Sequence, residues 1–123
     1  AVETRDGAPA AVAVVGRSQW LVYRETDAAI PAYDGHHVQV YVADFSGPHA
    51  KLAERGLVFE ESDQYQYRFK DLVDPASGKV LYAIEHEVRS LTHPLYGREL
   101  VNRNPDQTNL AYVRNADRYA GTY

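Results

Sequence analysis

The segment HHVQVYVADF, residues 36–45, decides the fold. Valines at alternate positions from 38 to 42 share one face of an extended chain, and His37, Gln39 and Tyr41 share the other. A period of two is typical of a strand with one buried face. The segment therefore predicts a strand that has a histidine at its start, one face in the core and one polar face.

A helix and three more strands are predicted after this segment. Pro48 stands where proline is favoured in the first turn of a helix, and Gly56 provides a stop, so we expect a short helix over residues 48–55. Strand patterns follow at residues 57–61, 65–69 and 79–87, and a strong turn at residues 74–78 precedes the last of them. The predicted order from His37 is β-α-β-β-β.

The rest of the chain divides around this unit. Residues 10–15 and 19–25 predict a hairpin with a turn at residues 16–18, and residues 26–35 predict a connector. Residues 89–123 contain many helix and strand breakers, so we expect an ordered loop and a tail. The predicted organisation is a hairpin and connector at 1–35, a βαβββ unit at 36–88 and a loop with tail at 89–123.

Composition narrows the classes of function. The chain has 123 residues, of which 45% are hydrophobic, and this favours one packed domain, to which the predicted βαβββ order assigns an α+β fold. Its 17 acidic residues outnumber 13 basic ones, which argues against a nucleic-acid partner. The longest apolar run, residues 8–15, is too short to span a bilayer. Cysteine is absent, which excludes thiolate chemistry and agrees with a cytoplasmic protein.

The βαβββ order, with a histidine at the mouth of its first strand and acidic residues late in its last, resembles a module of the vicinal oxygen chelate superfamily. This group includes glyoxalases, extradiol dioxygenases, fosfomycin-modifying enzymes and bleomycin-binding proteins. The resemblance covers residues 36–88, somewhat under half of the chain. It implies a concave mixed sheet whose polar face carries the site, with the helix packed on the opposite face.

Members of the superfamily usually pair two modules around one site. Residues 16–25 and 78–87 both run from a glycine through a strand to a glutamate, which suggests that the hairpin is a remnant of a first module. The other strands and the helix of that module have no counterpart in the sequence. We therefore expect either a homodimer, in which a second copy completes the site, or a longer natural chain that supplies the missing half.

The resemblance also implies a metal site. A histidine from the first strand and a glutamate from the fourth would surround Fe, Mn, Ni or Zn, ions that bind imidazole and carboxylate ligands. His37 is the expected histidine, whereas His36 points the other way. The expected carboxylates are Glu85 or Glu87, which share strand parity, and Glu25 of the hairpin. The family position counted from Gly78 falls near Tyr82, a departure that leaves the choice of glutamate open.

A small-molecule substrate would need further contacts. Tyr41 and Gln39 share the face of His37, and Arg89, His93 and Arg98 follow the last predicted strand, where guanidinium groups can hold a carboxylate in bidentate geometry. The competing interpretation is that the arginines only pair with the acidic residues of the chain.

The sequence thus favours a glyoxalase- or dioxygenase-like protein, namely a metal-dependent dioxygenase or lyase that acts on a small diol or keto compound. The alternative is a metal-free protein of the same fold that binds a small molecule. A third possibility is a fragment without a complete site.

Overall fold

A computed structural model describes residues 1–96 of the chain. This part has a mixed α+β fold, with one helix, α1 (Ser46–Glu54), and two sheets. The seven strands are β1 (Val2–Arg5), β2 (Ala8–Gly16), β3 (Gln19–Arg24), β4 (His37–Val42), β5 (Val58–Ser62), β6 (Gln66–Val73) and β7 (Val80–Ser90). Within these residues no helix is long and apolar enough to cross a membrane.

The larger sheet has the strand order β4-β7-β6-β5. The pair β4 and β7 is parallel, and the other two pairs are antiparallel, so the sheet is mixed as predicted. Its first and last strands in the chain are neighbours in space. The register sets His37 opposite Glu85, and it sets Tyr41 opposite Arg89. Paired residues project to the same side of a sheet, so these side chains share one face.

The two faces of this sheet differ sharply. Val40, Tyr67 and Val88 form the buried apolar cluster on one face. Helix α1 packs against this cluster through Phe45 and Leu52, and the β2–β3 hairpin adds its own apolar side chains, Val15 and Leu21. The expected helix therefore lies on the valine face of β4, and alternation along the strand leaves His37 on the opposite, polar face.

The hairpin was predicted, but the sheet that contains it is larger than expected. Strand β1 pairs with β2 and forms a third strand at its edge. All four residues of β1 are exposed, so its sequence has no alternation that would reveal a strand. The available signal was Asp6-Gly7, whose positive φ angles of 47° and 81° suit the tight turn of a hairpin.

The elements differ from their predicted limits in two places that affect the site. Helix α1 begins at Ser46, two residues before Pro48. Strand β7 continues to Ser90, beyond the predicted end at Glu87. The expectation that Arg89 lies on a loop was therefore wrong, because the parallel pairing with β4 extends β7 through this residue.

A histidine links the hairpin to the larger sheet. His86 is 2% exposed, and its ring stacks on Phe69 with the ring centroids 4.3 Å apart. The hydroxyl of Tyr23, on β3, bonds to Nε2 of His86. Burial raises the pKa of Tyr23 to about 12 and lowers the pKa of His86, so the phenol and the imidazole of this hydrogen bond are both neutral near pH 7.

This contact predicts the effect of removing one hydroxyl. Tyr23→Phe leaves a buried ring nitrogen without its partner, so the free energy of unfolding should fall by about 1–3 kcal/mol. Tyr82→Phe makes the same chemical change at a half-buried tyrosine whose hydroxyl makes no hydrogen bond within residues 1–96, and it should cost less than about 0.5 kcal/mol. Urea denaturation measures both. Equal losses in the two variants would contradict the proposed role of the Tyr23 hydroxyl.

Candidate functional site

The polar face of the larger sheet concentrates ionisable and hydrogen-bonding side chains. Three adjacent strands supply them, because the parallel register of β4 with β7 and the antiparallel register of β7 with β6 bring polar positions side by side. We call this group the polar cluster. It consists of His37, Gln39 and Tyr41 from β4, Gln66 and Arg68 from β6, and Glu85, Glu87 and Arg89 from β7.

Glu87 lies at the centre of the polar cluster. Its side chain is 3% exposed, and a buried carboxylate is stable only when its charge is paired. Arg68 Nη2 lies 3.2 Å from its Oε2, and Arg89 pairs with its Oε1. Nε2 of His37 lies 3.4 Å from the same Oε2. Three side chains from three strands thus converge on one carboxylate.

Arg68 connects this centre to two other acidic residues. Its Nη1 donates to Glu85 at 2.8 Å, and its Nε lies 3.5 Å from Glu60 on β5. Glu85 also accepts a hydrogen bond of 3.1 Å from the hydroxyl of Tyr33, in the connector. Desolvation, together with this bond, raises the pKa of Tyr33, so the hydroxyl keeps its proton near neutral pH. Arg68 therefore links the acidic residues of β5 and β7 across the middle of the polar face.

Arg89 extends the polar cluster toward the segment that follows β7. Its Nε donates to Oε1 of Gln66 at 2.8 Å, and its Nη1 donates to the hydroxyl of Tyr41 at 3.0 Å. The Tyr41 ring contacts the ring of His93, which is 3% exposed. Burial and the nearby charge of Arg89 lower the pKa of His93. The predicted residues Tyr41, Arg89 and His93 thus form one connected group.

The structure brings most of the predicted site residues together. His37, Glu85 and Glu87 lie on one face, as expected for strands that are neighbours, and Gln39 is exposed opposite Glu87. Glu25 does not join them, because it follows β3 at the edge of the other sheet and is exposed. Arg98 lies outside the described residues.

Sequence reasoning missed the residue that bridges the face, Arg68, together with Gln66 and Tyr33. A usable signal for Arg68 and Gln66 is the alternation of residues 65–69, in which polar residues stand between the aromatic ones. The polar members of a half-buried strand face the other side, and here they face the site. No comparable signal marks Tyr33, whose position depends on the path of the connector.

The fit of a divalent metal to these residues is poor. His37 and Glu87 supply one imidazole and one carboxylate, but both Glu85 and Glu87 are already paired with guanidinium groups. A dication beside two arginines would meet strong repulsion at these distances. Among residues 1–96 no group of three histidine, aspartate or glutamate side chains is placed to hold a metal ion. As arranged, the polar cluster is an ion-pair network.

No protein-family model, no curated protein and no solved structure matches the chain. The vicinal oxygen chelate resemblance thus remains a prediction that rests on the sequence pattern.

The central carboxylate predicts a large effect of a small substitution. Glu87→Gln keeps the shape of the side chain but removes the anion between Arg68 and Arg89. Arg68 keeps Glu85 and Glu60, whereas Arg89 loses its carboxylate partner, so the free energy of unfolding should fall by about 3–5 kcal/mol. Glu3→Gln breaks the exposed pair with Arg5 on β1 and should cost less than about 1 kcal/mol. Thermal unfolding of both variants measures the contrast. Similar melting temperatures would show that the network contributes little to folding.

Two buried histidines predict how stability changes with pH. The pKa values of His86 and His93 lie below their ordinary value of 6.5 in the folded protein, so the unfolded chain takes up protons first as the pH falls. Stability should therefore decrease from about pH 6.5 downward. The lowered pKa values of Asp34 and Asp74 act only at more acidic pH. In His86→Phe the slope below pH 6.5 should be smaller, and an unchanged slope in urea unfolding would contradict this assignment.

Proposed function

We propose that the protein binds a small oxygen-bearing molecule, a diol or keto compound, on the polar face of a vicinal oxygen chelate-like βαβββ unit, without a metal. The observation that carries this proposal is the pairing of Glu87 with Arg68 and Arg89. Because the arginines neutralise the carboxylate that a metal would need, the face is better suited to direct hydrogen bonding. This choice favours the metal-free alternative over the metal-dependent enzyme.

The polar cluster offers both kinds of hydrogen-bonding group to such a molecule. The exposed fractions of the His37 and Arg68 side chains are 44% and 26%, so these donors can be reached from solvent. Glu60, with a 49% exposed side chain, and exposed Gln39 supply acceptors. Keto oxygens accept hydrogen bonds from donors such as His37 and Arg68, and diol hydroxyls donate to acceptors such as Glu60 and Gln39. The mixture therefore suits a ligand with adjacent oxygen atoms better than an apolar one.

The metal-dependent enzyme remains a second candidate because of one distance. Nε2 of His37 lies 3.4 Å from Oε2 of Glu87 on the neighbouring parallel strand. This pair resembles the half-site that one module contributes in the superfamily, with the other half coming from a second module. In that case a homodimer, or a longer chain, would have to bring a second histidine and move the arginines away from Glu87.

A binding experiment with paired histidine variants tests the proposal. The protein, treated with EDTA, is titrated with a panel of catechols and α-keto acids while amide shifts are followed by NMR. We expect at least one compound to shift residues of β4 and β7, and His37→Ala to weaken this binding by about three- to tenfold, the loss of one hydrogen bond. His36→Ala is the matched control, because this exposed histidine pairs with Asp34 and not with Glu87.

The same panel of compounds distinguishes the metal-dependent enzyme from the metal-free binding protein. Addition of Fe(II), Mn(II), Ni(II) or Zn(II) should leave ligand affinity unchanged if binding is direct. Stoichiometric metal that is lost in His37→Ala but kept in His36→Ala, together with turnover of a catechol, would replace the proposal by the metal-dependent enzyme. Sedimentation at micromolar concentration gives the assembly state, for which the second candidate requires a dimer or a longer chain. No shift with any compound, with or without metal, would contradict both candidates.

A further inference from the structure

A second candidate site lies on the helix side of the larger sheet, away from the polar cluster. An open cleft of about 260 Å³ separates the start of α1 from the turn between β5 and β6. Its volume is slightly below the range of about 300–1,000 Å³ that is usual for ligand sites, so it suits a small molecule. The cleft uses no residue of the ion-pair network described above except Gln66.

Aromatic rings form the walls of this cleft. Phe45, Tyr65 and Tyr67 line it, together with the ring of His49. The centroid of the Tyr67 ring lies 5.1 Å from that of Phe45 and 5.0 Å from that of His49. The Tyr67 ring is inclined to these two neighbours by 58° and 64°, so the three rings pack against one another as the wall of the cleft. The ring of Tyr65 is 59% exposed, and the electron-rich face of such a ring attracts organic cations.

The charges at the cleft have one sign. Glu61 and Asp63 line it, and no lysine or arginine does so among residues 1–96. Glu61 bonds to His49 through Oε1 at 2.5 Å, which leaves its Oε2 for another partner. Unlike the carboxylates of the polar cluster, neither Glu61 nor Asp63 is paired with a guanidinium within the described part of the chain.

The hydroxyl of Tyr67 is the observation that points to a ligand. Tyr67 is 1% exposed and lines the cleft, and its hydroxyl makes no hydrogen bond within residues 1–96 and is not among their fully enclosed unpartnered atoms. Burial, with a smaller contribution from the charge of Asp44, raises its pKa to about 12, so the hydroxyl is neutral near pH 7. Buried polar groups are normally paired, and a ligand in the cleft would supply the missing partner.

From these observations we infer that the cleft binds a small organic ammonium ion. The exposed ring of Tyr65 would contact the cation beside the aromatic wall, Glu61 and Asp63 would neutralise it, and the Tyr67 hydroxyl would bond to a polar group of the ligand. An anionic ligand would be repelled by both carboxylates, and a neutral one would gain nothing from them. The site shares only Gln66 with the polar cluster that carries the proposed ligand site.

Two molecules of nearly the same shape test this inference. Choline carries a quaternary ammonium group, and 3,3-dimethylbutan-1-ol replaces the nitrogen by carbon and is neutral. Each is titrated into the full chain while the ring signals of His49 and Tyr67 are followed by NMR, with the indole of Trp20 on β3 as a distant reference. We expect saturable shifts with choline and binding of the neutral analogue weaker by about fivefold or more.

Three variants link the binding to the cleft. Glu61→Gln should weaken choline binding by about two- to fivefold, as for other exposed charge pairs. Glu54→Gln makes the same change of charge at an exposed position of α1 outside the cleft, and it should leave the affinity for choline unchanged. Tyr65→Gly removes one ring at a residue with a φ of 61°, a conformation that glycine adopts readily, so the fold is retained while affinity falls by about two- to fivefold.

The outcomes are decisive in either direction. Stronger binding of choline than of its neutral analogue, weakened by Glu61→Gln and Tyr65→Gly but not by Glu54→Gln, would support the ammonium site. Equal binding of the two probes, equal effects of Glu61→Gln and Glu54→Gln, or no saturable shift at millimolar choline would overturn it. Circular dichroism of each variant shows that a loss of affinity is not a loss of fold.

Discussion

The burial of one carboxylate constrains the rest of the described structure. Glu87 is almost fully removed from water, and an isolated carboxylate in such a place would cost several kcal/mol. Its charge is tolerated because β6 supplies Arg68 and β7 itself supplies Arg89. These partners reach it only in the observed register of the strands. The arrangement of the polar face therefore follows from the need to neutralise a single buried group.

The alternate residues of strand β7 lie in two different environments. Glu87 and Arg89 project to the polar face, where they join the ion-pair network. The alternate residues His86 and Val88 project to the opposite, apolar face. His86 bonds to Tyr23 of the hairpin, while Val88 belongs to the cluster against which helix α1 packs. Each substitution in residues 85–89 thus affects one face in particular. The alternation separates the candidate ligand site from the packing that holds the sheets together.

Part of this architecture follows from the sequence. The period of two around Val40 and the proline after Phe45 were sufficient to place β4 and α1, because local pattern and tertiary burial agree there. The register was not accessible, so Glu85 and Glu87, which have the same parity, could not be distinguished. Only the pairing of β4 with β7 shows that Glu85 lies opposite His37, whereas the carboxylate of Glu87 approaches its ring nitrogen. The role of Arg68 depends on the same long-range pairing.

The parallel pairing of β4 with β7 also affects the order in which the protein can form. Tyr41 and Arg89 are 48 residues apart in the chain, and Tyr23 and His86 are 63 apart. Contacts between such distant residues require large loops to close, which slows folding. During synthesis β4, α1, β5 and β6 leave the ribosome before β7. Until β7 arrives, Arg68 lacks both of its β7 carboxylates, and the hairpin has no histidine to bond to. The contacts that complete both faces of the larger sheet therefore require β7, its last strand in the chain.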